Sequence, residues 1–353
     1  MDFALDDDQQ LIVDTVRRFA DRDLRAWAAD ADRAGAPPDK LAAVGGDLGF
    51  MLDAVPEASG GTLDGAYSHV TRALRGYELG RGCPALAALL EANVEPALAV
   101  ERWGSAAAKQ ALFTSLAAGG SATFIHDSRG AIAIEGNRLT GKLGPAPVLA
   151  QASFVVLATG GMLALIATDK LKRTPITPIG WRAAKWATAE LEALAIGDDF
   201  VLSRDPAAIA EVLAWARTSL AARACGVAAA AMEHAEHYGK ERIQFGQPIG
   251  QFESLIRLRD DAQTATAAAR LMALHAAWQL DRKLPGAHDA ASRARVIAGD
   301  VVARATIDAV QIFGGYGFVN DYPVEKLMRD ARAFEAIYGD ERLGRVLAQK
   351  AMV

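Results

Sequence analysis

The stretch QIFGGYGFVNDYPVEKLMRDA, Gln311 to Ala331, carries the pattern from which the fold can be read. Gln311 closes an apolar-periodic run, Gly314 and Gly315 expose backbone, and Pro323 opens a second run, a position where its missing N–H costs nothing. Glycines let a ligand approach the main chain. A second stretch, ERIQFGQPIGQFESL (Glu241 to Leu255), has the same character: Arg242 and Gln244 stand at a helix end beside Phe245 and Gly246. Arginine pairs bidentately with phosphate. Each stretch taken alone reads equally well as a glycine-terminated helix.

Working outward, the flanking sequence is helical. Asp205-Pro206 supplies an N-cap followed by proline at the first helical position, and the helix they start extends to Gly239. In the next helix Leu255, Leu258, Ala262, Ala265, Ala269, Met272 and Ala276 step by three and four, the stripe of a bundle. Helices over about Asp289–Phe313 and Pro323–Ala336 complete a four-helix unit across 206–353. Residues 119–205 change texture: AIAIEG, ASFVVLA and LALIATD alternate with turn residues and predict a compact β domain. Residues 1–118 return to helical runs such as QQLIVDTVRRFADRDL, separated by turns such as EASGGTLDG. The fold class is α+β multidomain.

Composition narrows the function. The chain has 353 residues, 51% hydrophobic and 23% charged, so it has the composition of a folded protein. A net charge of -5 without a basic stripe argues against nucleic acid. The nearest basic run, SRARV from Ser292 to Val296, reads as an exposed helix face. Cys83 and Cys225 lack metal-like spacing and suit a reducing compartment. The acidic start does not read as a signal peptide, and ALAALLEANVEPALAV is cut by Glu91, Glu95 and Pro96, so no membrane span and a cytoplasmic location are expected. His234 and His237 with Glu233 and Glu236 do not form the Glu-x-x-His unit of two-metal bundles, so no metal is expected there.

Together and in order, these segments resemble the acyl-CoA dehydrogenase family. The resemblance spans nearly the whole chain, through DDQQLIVDTVRRFA, LGFMLDAVPEASGG, YELGRG and RWGSAAAKQALFTSLAAG, and is strongest at QIFGGYGFVNDYPVEKLMRDA. It implies an N-terminal α-helical domain, a middle β-barrel domain and a C-terminal four-helix bundle. It also implies FAD as cofactor and an acyl-CoA thioester as substrate. A glutamate would take the α proton while the β hydride moves to the flavin.

By the same resemblance, Arg242, Phe245, Gln311 and Gly315 match residues that hold the adenosine diphosphate end of FAD belonging to the adjoining subunit. Arg217 matches an arginine near the catalytic centre. The loop AIYGDERLG resembles the family's IYEGT segment, but Tyr338 runs directly into Gly339 and the glutamate is missing. Read with a one-residue deletion, Asp340 replaces the flavin-touching threonine. The family's other base position, directly before the arginine matched by Arg217, is Ala216. Tyr338, with an ordinary phenol pKa of about 10, is a poor base, and Glu341 serves only if the loop is rebuilt. Otherwise Asp340 N-caps the terminal helix and Glu341 lies in its first turn.

The β domain departs from the family as well. IHDSRGA places His126 and Asp127 where a TEP…GSD loop is expected, and Gly144, Pro145 and Ala146 stand where a Trp-Ile-Thr stretch lies against the flavin ring. Groups serving the chain's own ring and base are lost, whereas those reaching a neighbour's cofactor are kept. The resemblance therefore implies the base-less subunit of a heterotetramer with a paralogous partner, of the kind that shortens steroid side chains in bacteria. The alternatives are a homotetrameric or homodimeric enzyme using Glu341, and a cofactor-free scaffold. The acyl group is not legible: Trp215, Ala216 and Ala336 fit many shapes.

Overall fold

The computed structural model describes residues 4–337. Seven helices lead: α1 (Asp7–Phe19), α2 (Arg25–Ala34), α3 (Leu41–Asp47), α4 (His69–Gly82), α5 (Pro84–Leu90), α6 (Val94–Trp103) and α7 (Ala106–Ala117). Their starts follow local chemistry. Asp6 and Gln9 form a reciprocal capping box on α1, and Ser68 and Ser105 cap α4 and α7 through their hydroxyls. Each cap satisfies a backbone donor that the helix leaves unpaired.

The β region forms two separate four-stranded sheets. One has the order β1 (Ala122–His126), β4 (Phe154–Thr159), β5 (Met162–Ala167), β8 (Val201–Ser203), with β1 and β4 parallel. The other has the order β2 (Ile132–Glu135), β3 (Arg138–Ala146), β7 (Ala187–Ala195), β6 (Lys172–Pro175). The barrel expected from the resemblance does not close. The reason lies in the first sheet, which is buried on both faces. Val155 and Leu157 of β4 meet Leu139 and Leu143 of β3 in a core between the sheets. Val156 and Ala158, on the opposite face, join the helical core instead. That sheet is therefore a layer between helices and a second sheet, not a wall of a cylinder.

The C-terminal unit contains α8 (Pro206–Glu241), α9 (Glu253–Asp281), α10 (Ala287–Phe313) and the short α11 (Pro323–Ala333). A two-residue hairpin, β9 (Ile243–Gln244) with β10 (Gln247–Pro248), joins α8 to α9. The Asp205 carboxylate caps α8 as expected, accepting from the Ala207 N–H at 2.8 Å. α8 runs two residues beyond Gly239, and the last predicted helix ends at Ala333 in a 3-10 turn over Phe334–Ala336. The α9 stripe is as read: Ala262, Ala269 and Ala276 are buried, and Leu255, Leu258 and Met272 pack against the core.

A second expectation is overturned. Ser292, Ala294, Arg295 and Val296 are buried, so SRARV is an inward face of α10. The Arg295 guanidinium reaches the Phe334 carbonyl and the Arg217 guanidinium donates to Ser292 Oγ at 3.3 Å, so these buried polar groups find partners in other parts of the chain. Cys83 and Cys225 are buried free thiols. Among the described residues no helix is long and apolar enough to cross a membrane, and no His, Cys, Asp and Glu cluster could hold a metal.

Candidate functional site

At the C-terminal ends of α8 and α10 the two glycine-bearing stretches meet. The ring of Tyr238 stacks on Phe313 at 4.2 Å between centroids, which brings the ends of the two helices together. Arg242 is the C-cap of α8, and its guanidinium lies 5.6 Å from the centre of the Tyr316 ring. Phe245 and Gly246 form the tip of the β9–β10 hairpin with φ of 51° and 84°. Phe245 is 95% exposed, an unusual position for a phenylalanine, and it meets the Phe252 ring edge-on at 6.2 Å between centroids.

Gln311 is exposed on the last turn of α10, and Gly314 follows with φ 58° and ψ −132°, a conformation essentially reserved for glycine. A Cβ added at Gly314 or Gly315 would meet no atom within 4 Å, so the backbone there is bare. Arginine, an aromatic ring and open amides on one exposed rim are the groups a diphosphate and a purine need.

The chain's own ring position is different. A cavity of about 220 Å³ opens between the loop after β1, the Lys142–Pro145 part of β3, and the Glu335–Ala336 turn. Asp127, at the expected acid position, is fully engaged: its carboxylate accepts from the N–H groups of Ala131 and Ile132 at 2.9 and 3.0 Å and from Thr159 Oγ1 at 2.9 Å. It holds a turn. Burial, with help from the Arg217 charge, lowers His126 to about 4, so its imidazole is neutral near pH 7, and its Nδ1 has no hydrogen-bond partner. Gly144, Pro145 and Ala146 bring no side-chain donor, and the Gly144-Pro145 peptide is cis.

Arg217 is buried on α8, and burial followed by the Arg295 charge lowers it to about 10. It therefore stays cationic at neutral pH. Arg217 donates to Ser292 Oγ at 3.3 Å, and the neighbouring Arg295 reaches the Phe334 carbonyl in the turn before Ile337. Ala216 is buried and carries no ionisable group. Tyr338, Gly339, Asp340 and Glu341 lie outside the described residues. His237 is exposed and pairs with Glu241 at 3.3 Å, whereas burial lowers the half-buried His234 to about 4.

Sequence reading missed a buried ionic network between α4, α6 and α8. Arg72 pairs with Glu95 at 2.8 Å. Arg75 contacts Asp53 at 2.5 Å and Glu91 at 2.9 Å, and Arg223 reaches Glu91 at 2.5 Å. Burial alone would raise the Glu91 carboxyl, but the guanidinium groups of Arg75, Arg223 and Arg72 outweigh it and hold it down to about 2. The signal for it in the sequence is charge at intervals inside otherwise apolar helices, as at Glu91 and Glu95 in LLEANVEPALAV.

The comparisons with known proteins agree with this architecture. Residues 6–120 match the family model for the acyl-CoA dehydrogenase N-terminal domain, and residues 207–352 match that for the C-terminal domain. A probable acyl-CoA dehydrogenase of Bacillus subtilis (strain 168) is 28% identical over 391 aligned positions covering all of both chains. A second acyl-CoA dehydrogenase from that organism is 41% identical over 137 residues, 39% of this chain and 36% of the other. The structure of butyryl-CoA dehydrogenase from Megasphaera elsdenii has the same fold, with a TM-score of 0.89 at 23% identity over both whole chains. On its helical, β and bundle parts, and on the match of both flanking domains, this chain belongs to the acyl-CoA dehydrogenase family of FAD-dependent oxidoreductases acting on CH–CH groups.

Proposed function

We propose that this chain is the non-catalytic subunit of a heteromeric, cytoplasmic acyl-CoA dehydrogenase, completing from across an interface the FAD site of a paralogous partner that carries the base. The carrying observation is the split between the two ends of the site. Phe245, Gln311 and Gly315 are exposed, and the half-buried Arg242 lies against Tyr316 at the end of α8. The inward side has alanine at 216 and an Asp127 whose carboxylate is committed to a turn.

When bound, FAD supplies the hydride acceptor for α,β-dehydrogenation of the thioester. This chain's Arg242 would neutralise diphosphate charge, the exposed Phe245 would cover the adenosine end, and the bare backbone at Gly314–Gly315 would admit close approach. Arg217, held by its bond to Ser292 Oγ, would orient groups at the interior site. A steroid side-chain or fatty acyl thioester is the substrate class that the resemblance suggests, in an α2β2 tetramer.

The test is a visible spectrum of the chain purified alone and after co-expression with each neighbouring paralogue. A colourless chain that acquires flavin absorbance and turnover only with a partner supports the proposal. Stoichiometric flavin with turnover in the isolated chain overturns it in favour of a relocated base, and Glu341→Gln would then abolish that turnover with flavin retained. Absence of flavin with every paralogue indicates a scaffold.

A further inference from the structure

The ionic network occupies a telling place. A cavity beside it is bounded by Ala216, by Ile337, and by Arg72, Glu91, Glu95 and Arg223. By the resemblance, Ala216 is one of the two positions where the family places its base, and Ile337 lies one residue before Tyr338, after which the other falls. A thioester whose α-carbon is served from either position would send its acyl group toward this space. Its volume is only about 30 Å³, room for one or two waters.

The surroundings are unsuited to hydrocarbon. Arg72 Nε, Arg223 Nε and Ser219 Oγ are buried there without a hydrogen-bond partner, on residues no more than 6% exposed. An alkyl chain would offer these donors nothing and would have to part charges that are already paired at 2.5 to 2.9 Å. The larger cavity at the β1 loop is no substitute, because Arg129, Lys142, Asp127 and Glu335 line it.

We infer that the pairs Arg72–Glu95 and Asp53–Arg75–Glu91–Arg223 form a plug closing the interior that an acyl group would enter, so that the chain holds no acyl chain of its own. Catalysis in the assembly then uses one acyl group per two chains, bound in the partner. The inference deepens the subunit reading and rests on it for the meaning of Ala216 and the Ile337 loop. The closed volume and the ion pairs do not depend on it.

Calorimetric titration of the full chain with CoA, butyryl-CoA and octanoyl-CoA tests the plug. Each buried methylene ordinarily strengthens binding by about fourfold, so a real acyl chamber produces a steep series. The expected result is a gain of less than about threefold from CoA to either thioester, and a chain that binds none of the three shows no gain either. A threefold or larger gain overturns the plug. In Arg72→Ala combined with Glu95→Ala, checked for folding by circular dichroism, an acyl-dependent gain of about tenfold is expected. A folded variant without that gain also overturns the inference, and the wild-type series decides the matter if the variant does not fold. The two readings fail separately: an acyl-length series in a colourless chain sinks the plug alone, and absence of flavin with every paralogue, together with no acyl-length gain, sinks the subunit reading alone.

Discussion

Arg242 sits with its guanidinium 5.6 Å from the centroid of the Tyr316 ring, which couples the end of α8 to the turn after α10. A cation over an aromatic face is held in place yet keeps its in-plane donors available. In the proposed site, the contact would pre-arrange the arginine for a diphosphate arriving from outside the chain.

Replacing that arginine separates positioning from charge. In the assembled complex, Arg242→Ala is expected to weaken FAD retention by about 10- to 100-fold, the loss of one charge-assisted pair, and Arg242→Lys by less. Flavin-to-protein ratio after gel filtration measures it. Equal occupancy in wild type and Arg242→Ala removes the phosphate role.

A second buried pair ties the β region to the bundle. Asp330 accepts from Lys326 Nζ at 2.5 Å and from the Trp181 N–H at 2.7 Å, and is fully buried. Burial would depress the Lys326 amine, but Asp330 outweighs it and holds its pKa up. Asp330→Ala leaves an uncompensated ammonium and should cost about 3–5 kcal/mol. Lys326→Met with Asp330→Leu should cost clearly less, read by urea unfolding. A double variant as unstable as the single one contradicts this account.

Acid should destabilise the chain in two stages. Burial lowers His69 to about 3, with the Arg72 charge adding to it, and lowers His126 and His234 to about 4. In the unfolded chain these imidazoles take up protons near pH 6.5, so stability falls as pH drops from there toward 4. Glu91, held at about 2 against an ordinary 4.5, adds about 3 kcal/mol that is present above pH 4.5 and lost as pH falls toward 2. Thermal midpoints between pH 7.5 and 3 should show both stages. His69→Phe should flatten the first, and an unchanged slope would show that His69 does not contribute.

Helices α4 and α8 meet through glycine. A Cβ on Gly226 would lie 2.0 Å from the Tyr77 carbonyl oxygen, and one on Gly80 2.3 Å from that of Arg223. Because both obstacles are backbone, neither can rotate away. Gly226→Ala should cost about 1–3 kcal/mol or more, measured by urea unfolding, and should weaken the Arg223–Glu91 pair by pushing the helices apart. A neutral effect would mean that the helices slide without loss.

The chain by itself determined the helical, β and helical order, the capped start of α8, the alanine stripe of α9 and the glycine rims, because caps, periodicity and turn residues act over a few positions. The same local reading put Ser292–Val296 at the surface, and the resemblance implied a β-barrel. Only tertiary structure decided those two points. Arg295 is buried because the Phe334 carbonyl, 39 residues away, meets it, and the β1–β4–β5–β8 sheet stays open because helices cover its second face. The network of Arg72, Arg75, Glu91, Glu95 and Arg223 was likewise illegible, since a charge in an apolar helix costs free energy until its partner is known, and the partners stand up to 132 residues apart.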